Sequence, residues 1–513
     1  MPTIFRALGN DLRSRPGPIV AVVTILICLP FIRSVWWMSD EGILLQAARR
    51  MAGGETLYGD FFELHPPLAF LLVRAWQAIF GETLVAIRLG MVLVLSGIAW
   101  LAYACSFRLS GNVPLSAFLA LAWVIASQGL WTQLNHSWIS TLFSMLAFRA
   151  SLGPARNEVR PFLTGMAAGA AAVVTTSRGG LTVIAACLSL LNWRSPRMLL
   201  RFVAGGALVA AAMLVYLLAT GSVTMAYQQV VVFAATHYSN IQYVPFGSFV
   251  TRQSWPLVAA FPLAAVAVIV LLIRRRTDLF VDPDARTAII FAIIGFIGCF
   301  PRPDAAHIGF CVPFVLPLLA RIFDRITPRG RLGQWLFAAV MLAMLPPLVA
   351  ITKEAIRVMR QPLHATRAGT ISFITPAGEP ALLARLATLP IGQEVLFYPY
   401  SPLLAVLSAR HHPARVDVFV PNYSTPEQYQ EACWQMMDRA DWVVVDGTLT
   451  GSDPFRKVFP AMTNPSPPER TAFEAAVQAG FVLDARYGHY DLLRRSRPSR
   501  LLCTGIDAPP VSP

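Results

Sequence analysis

Two carboxylates stand side by side at Asp40 and Glu41, with Ser39 before them and Gly42 after. Ser39 is suited to cap a helix, and acidic residues suit its first turn, where the macrodipole is positive. A carboxylate held there can take the proton of a hydroxyl nucleophile, which is the task of a general base. A second group, Arg302-Pro303-Asp304-Ala305-Ala306-His307, opens an apolar stretch. Ionisable side chains at membrane depth are costly and usually mark a site. The same residues also fit a buried structural ion pair between Arg302 and Asp304. Arg178, in Thr175-Thr176-Ser177-Arg178-Gly179-Gly180, reads either as an anion ligand or as a lipid-headgroup anchor.

The elements that position these residues are mostly membrane spans. Of the 513 residues 55% are apolar and 14% charged, and the charges gather in short clusters between long apolar runs. That pattern indicates a polytopic α-helical membrane protein. Stretches near 17–36, 84–107, 113–131, 138–152, 161–177, 179–193, 202–220, 256–273, 287–301, 308–323 and 333–351 predict about eleven spans. Thr175 to Gly180 is expected to be a tight turn between two of them, since paired glycines interrupt a helix. The run after Arg6, Arg13 and Arg15 lacks a small-residue cleavage site and reads as an uncleaved first span.

The net charge of +14 would suggest nucleic acid in a soluble chain, but its placement argues for topology and lipid contact instead. With the N-terminus inside, the inner loops hold Arg108; Arg149, Arg156 and Arg160; Arg194, Arg197 and Arg201; Arg274, Arg275, Arg276 and Arg286; and Arg321, Arg325, Arg329 and Arg331. Outer short loops hold chiefly Arg178, Arg252 and Arg302, as the positive-inside rule expects. Residues 1–352 are expected to form the transmembrane domain and 353–513 an extracytoplasmic α/β domain. There, strands are expected at Glu394–Tyr398, Arg415–Val420, Trp442–Asp446, Phe481–Ala485 and Tyr490–Arg494, and helices at Pro402–Arg410, Pro426–Ala440 and Glu469–Ala479.

The first outer loop, 37–83, is no ordinary connector. Ile43, Leu44, Ala47 and Met51 form one apolar stripe opposite Gln46, Arg49 and Arg50. Leu68, Leu71, Leu72, Ala75, Trp76, Ile79 and Phe80 form another after Pro66-Pro67. Each predicts an amphipathic helix too short to span, expected along the outer membrane surface.

In order, the loop reads Asp40-Glu41-Gly42, an Ala-Arg helix, Gly53-Gly54, Leu57-Tyr58-Gly59-Asp60-Phe61, His65-Pro66-Pro67-Leu68 and Arg88-Leu89. This series resembles the first loop of the GT-C glycosyltransferases, in the branch of protein mannosyltransferases and bacterial lipid A aminoarabinose transferases. The motif covers about fifty residues, and the plan of loop, spans and α/β tail resembles the family over most of the chain.

The resemblance implies sugar transfer from a polyprenyl-phosphate donor to a hydroxyl on the extracytoplasmic face of a bacterial inner membrane. It implies Asp40 as the catalytic carboxylate, with Glu41 beside it. Arg178, Arg302 and His307 become candidate donor-phosphate ligands, with Asp304 orienting one of them. Arg178 stands where the family often has lysine, a change that keeps charge and alters donor geometry. Arg178 and His307 are expected to converge with Asp40. Asp60, Glu63 and His65 are candidates for the acceptor side, although His65 before two prolines also suits a turn.

Two other classes stay open: a transporter or flippase of lipid-linked saccharides, and a polymerase or ligase using a diphosphate-linked donor. Transporters tend to carry midplane charges and internal repeats, and neither is visible here. No cofactor is implied with certainty. Some members of the family use a divalent cation, so that point is open, as are the sugar and the acceptor. Cys28, Cys105, Cys187, Cys299 and Cys311 read as packing residues, whereas Cys433 and Cys503 could pair outside the cytoplasm.

Overall fold

The computed structural model describes residues 16–36, 40–129, 131–153, 159–190, 195–273, 281–326, 331–504 and 506. Ser39, Arg6, Arg13, Arg15, Arg156, Arg194, Arg274, Arg275, Arg276 and Arg329 lie outside them. The chain forms two compact units, each drawn from separated segments. One comprises Met1–Ile32, Arg88–Val215 and Pro245–Met359; the other comprises Arg33–Ile87, Tyr216–Val244 and Arg360–Pro513.

The first unit is helical. Each apolar stretch of the sequence overlaps a helix there, from Gly17–Cys28 to Leu345–Met359. Among the described residues, Leu84–Ser110, Pro196–Ala219, Trp255–Ile273 and Gly333–Met359 are long and apolar enough to cross a membrane. Ala305–Phe314 and Leu316–Arg325 pass the same test together and are bent by 61° at the break between them, the geometry of a broken span or a re-entrant loop. Pro313 and Pro317 flank the bend, and each lacks the N–H that would continue the helical ladder. The remaining helices are shorter, so their crossing of a bilayer stays an expectation.

The Gly179-Gly180 pair does not interrupt a helix. The turn falls at 173–175, and Thr176–Leu190 runs through both glycines. A Cβ at Gly179 would lie 2.1 Å from the Ala171 carbonyl oxygen. Its glycine therefore lets two helices touch backbone to backbone, as small residues do between membrane helices. Arg88, the last residue of the first-loop motif, is buried and points Nη1 at the Phe31 and Ile32 carbonyls, 3.3 and 3.4 Å away. Those carbonyls close the first helical segment, where the intrahelical ladder runs out.

The second unit joins the first loop to the chain's last third. Ser34–Val35 pairs in parallel with Gly369–Phe373, which pairs antiparallel with His364–Thr366. A four-stranded sheet follows, ordered Val395–Tyr398, Trp442–Asp446, Tyr490–Arg495, Phe481–Tyr487; its first pair is parallel and the rest antiparallel. Helices Pro426–Arg439 and Pro468–Gly480 pack on it around Tyr398, Phe419, Tyr429, Met436, Val443 and Phe473. Thr425 caps the first of these in a reciprocal capping box with Gln428. Cys433 and Cys503 form a disulfide there.

Arg415–Val420, expected as a strand, is irregular. Its alternation has another cause. Val416 and Phe419 enter the core while Asp417 turns to Arg50, and the Arg415 carbonyl accepts from the Phe62 N–H.

Candidate functional site

Asp40 opens the helix Asp40–Ala52, whose acids lie in the first turn and whose Arg49 and Arg50 lie in the last. Both ends thus complement the macrodipole. The helix is expected as a surface element, yet Glu41, Leu44, Leu45, Gln46, Ala47, Ala48 and Arg50 are all buried. The reason is Gly42. A Cβ there would stand 2.1 Å from the Leu403 backbone nitrogen. With glycine, the helix start rests directly on the first turn of the helix Pro402–Ser408.

That contact brings Asp40 beside Tyr400, which precedes Pro402. The Tyr400 hydroxyl donates to Asp40 Oδ1 at 2.9 Å, while Asp40 itself is exposed. Burial raises the Tyr400 phenol well above its ordinary value, and the Asp40 charge adds to this. Tyr400 is therefore a fixed proton donor to the carboxylate. Glu41 differs in kind, being 1% exposed and turned into the unit.

The three acceptor-side candidates differ in their surroundings. Asp60 is exposed, and its Oδ2 accepts from the Thr56 N–H at 2.6 Å. Glu63 is buried, and burial lifts its carboxyl well above the usual range; Asp417 adds to the rise and Arg50 opposes it. Its backbone N–H donates to Gln229 Oε1 at 2.9 Å, and Gln229 Nε2 in turn donates to the Tyr58 carbonyl. His65 offers its backbone oxygen to the Tyr58 hydroxyl at 2.6 Å, which fits the turn reading of that residue.

Behind them runs an ionic chain. Arg50 pairs with Glu55 and Asp417 at 2.7 and 3.1 Å. His411 bridges Glu55 and Glu394 at 3.1 and 3.0 Å. Hydrogen bonds that His411 donates to Glu394 and Glu55 raise it to about 9 against the pull of burial. For Glu55, burial works upward, but His411 and Arg50 overcome it and hold the carboxyl at about 2.

The first unit holds the other group, and there the expected residues do come together. Asp304 caps the helix Ala305–Cys311 through the His307 N–H. Its Oδ1 also meets His307 Nδ1 at 2.8 Å, and its Oδ2 accepts from Arg302 Nε at 2.8 Å. The Arg302–Asp304 pair is thus present, and Asp304 orients both neighbours. Arg178 lies over the Phe310 ring, 4.8 Å from its centroid, and His307 packs edge-on to the same ring. Arg178 Nη1 is buried with no hydrogen-bond partner among the described residues. Asp40 belongs to the other unit.

Among the described residues, no three His, Cys, Asp or Glu side chains group as metal ligands do. Tyr400 was missed by sequence reasoning. Its signal was positional: it follows the strand Val395–Tyr398, and loops beyond the carboxyl ends of α/β strands often carry function.

No protein-family model and no curated protein matches the chain. Solved structures do. ArnT from Cupriavidus metallidurans bound to undecaprenyl phosphate superposes with a TM-score of 0.58 at 14% identity, covering 93% of this chain and 97% of that one. The apo state of that protein gives 0.55 at 13%, covering 95% and 98%. The mycobacterial arabinofuranosyltransferase AftD gives 0.52 at 13%, covering 93% of this chain and 40% of that one. The chain has the GT-C fold, the fold of the family that its first loop resembles.

Proposed function

We propose that this chain is an integral membrane glycosyltransferase that moves a sugar from a polyprenyl-phosphate donor to a hydroxyl acceptor, with Asp40 as general base. The observation that carries this is Asp40 itself: an exposed carboxylate at a helix start, oriented by a half-buried phenol. In the reaction, the acceptor hydroxyl gives its proton to Asp40 as its oxygen attacks C1 of the sugar. The bond from C1 to the phosphate oxygen breaks, and its electron pair leaves with the lipid phosphate. Arg178, Arg302 and His307 suit that anion, which must be met by donors aimed at developing charge. The buried Nη1 of Arg178, unpartnered among the described residues, supports the assignment. So does the undecaprenyl phosphate in the ArnT structure of like fold.

Glu41, being buried, is assigned to holding the helix start rather than to meeting substrate. The Cys433–Cys503 disulfide supports an oxidising, extracytoplasmic setting for the C-terminal part. The direct test is transfer by the purified chain from candidate polyprenyl-phosphate sugars, beside Asp40→Asn. Transfer by the wild type and not by the variant is expected. Equal turnover in both would end the assignment of the base.

A further inference from the structure

Within the second unit, a cavity of about 710 Å³ opens between the end of the Asp40–Ala52 helix and the C-terminal segment. Its size is that of a ligand site rather than a packing defect. Arg49, Arg410 and Arg415 line it. Arg49 donates to the Ala405 and Ala409 carbonyls, and Arg410 to those of Pro390, Leu386 and Leu389. Neither touches a carboxylate among the described residues. Arg415 donates to the Tyr58 carbonyl at 2.8 Å and reaches Glu431 only at 3.9 Å. By contrast, the charges of Arg50, His411 and Arg439 are matched by Glu55, Asp417 and Glu394.

Two atoms of the lining are orphaned. Gln46 is 2% exposed, and its Oε1 has no hydrogen-bond partner among the described residues. The same holds for the buried Nε of Arg415. A native structure rarely leaves buried polar atoms unmatched without a ligand or water to match them. Here the wanted groups are a donor for Gln46 and an acceptor, by preference an anion, for Arg415. Asp60 and Glu431 also line the cavity and can accept from hydroxyls.

We infer that this cavity binds an acidic saccharide unit, one bearing a phosphate or a carboxylate beside free hydroxyls. The anion meets Arg49 and Arg415, and a hydroxyl donates to Gln46 Oε1. Arg49 lies nine residues along the helix from Asp40, roughly 13 Å of axial rise. On the proposed function, the cavity therefore holds a part of the acceptor remote from the hydroxyl that reacts.

The test is direct binding to the full chain in neutral-lipid nanodiscs, with glucose 1-phosphate, glucuronic acid, glucose, inorganic phosphate and phosphatidylglycerol vesicles as probes. Glucose 1-phosphate or glucuronic acid should bind at least tenfold tighter than glucose, and more weakly as salt rises. Arg415→Gln and Gln46→Leu should each weaken that binding tenfold or more at an unchanged thermal midpoint. Arg415→Lys, which keeps the charge and loses the planar donors, serves if the glutamine variant does not fold. Asp40→Asn should bind as the wild type does. Equal affinity for glucose, tighter binding of bare phosphate, or displacement by the vesicles would each overturn the inference. Binding without any transfer by the wild type would sink the proposed function and leave the cavity's ligand standing. Transfer with normal efficiency in a variant that no longer binds would remove the cavity from the acceptor's path.

Discussion

The Tyr400 hydroxyl donates to Asp40 Oδ1 across 2.9 Å, joining residues 360 positions apart. One carboxylate oxygen is thereby oriented by a phenol that burial keeps protonated.

Asp40→Asn keeps size and removes basicity. Transfer should fall by roughly 10²–10⁴-fold, the usual share of general-base assistance, with protein level and membrane insertion retained. Tyr400→Phe should cost less, about 10–100-fold and mainly in kcat, since a hydrogen bond to a charged group contributes about 1.5–3 kcal/mol. Steady-state kinetics on both variants tests the order; a Tyr400→Phe loss confined to KM would contradict an orienting role.

Gly42→Ala places a methyl against the Leu403 backbone. Backbone cannot move aside as a flexible side chain does, so about 1–3 kcal/mol of overpacking is expected, together with loss of transfer. A variant with the thermal midpoint and turnover of the wild type would show that the helix start has room to shift.

Arg178→Gln should weaken donor binding by about 10–100-fold, a charge-assisted bond being lost at a buried anion. Arg178→Lys should recover part of it. Titration with undecaprenyl phosphate decides this: unchanged affinity would return Arg178 to the lipid-anchor reading.

The His411 bridge makes stability depend on pH at both ends. His411 is raised from 6.5 to about 9, so its contribution is complete below about pH 6.5 and lost as pH rises through 9. Glu55 is lowered from 4.5 to about 2, so its share is complete above about pH 4.5 and lost as pH falls through 2. Thermal midpoints of the wild type and His411→Gln should differ most between those limits and converge near pH 9. A constant difference from pH 5 to 10 would show that the bridge contributes nothing through charge.

Cys433→Ser opens a loop of 70 residues and should cost about 4 kcal/mol on the chain-entropy account. A reporter fused after Pro513 that works only outside the cytoplasm should be active. Activity of a cytoplasmic reporter at that position would place the tail inside.

The sequence made legible what is encoded locally. Acids opening the Asp40–Ala52 helix announce it through the dipole alone, and Asp304 three residues before His307 is a helix cap readable from spacing. What stayed hidden depends on distant partners. Tyr400 gains meaning only through Gly42 against Leu403, and Gly179 only through Ala171. Residues Arg415 to Val420 mimic a strand because Asp417 answers Arg50 while its neighbours answer the core. Gln46 looked like the solvated face of a surface helix and is instead buried.

The unit that holds Asp40 is closed by residues from Arg360 to Pro513. Tyr400 and Leu403, which fix the helix start, are therefore made some 360 residues after the carboxylate they position. A growing chain carries Asp40 early and lacks its support until residues 400 to 403 have been made. On the proposed function, a chain halted before residue 400 would carry the carboxylate without the phenol that orients it.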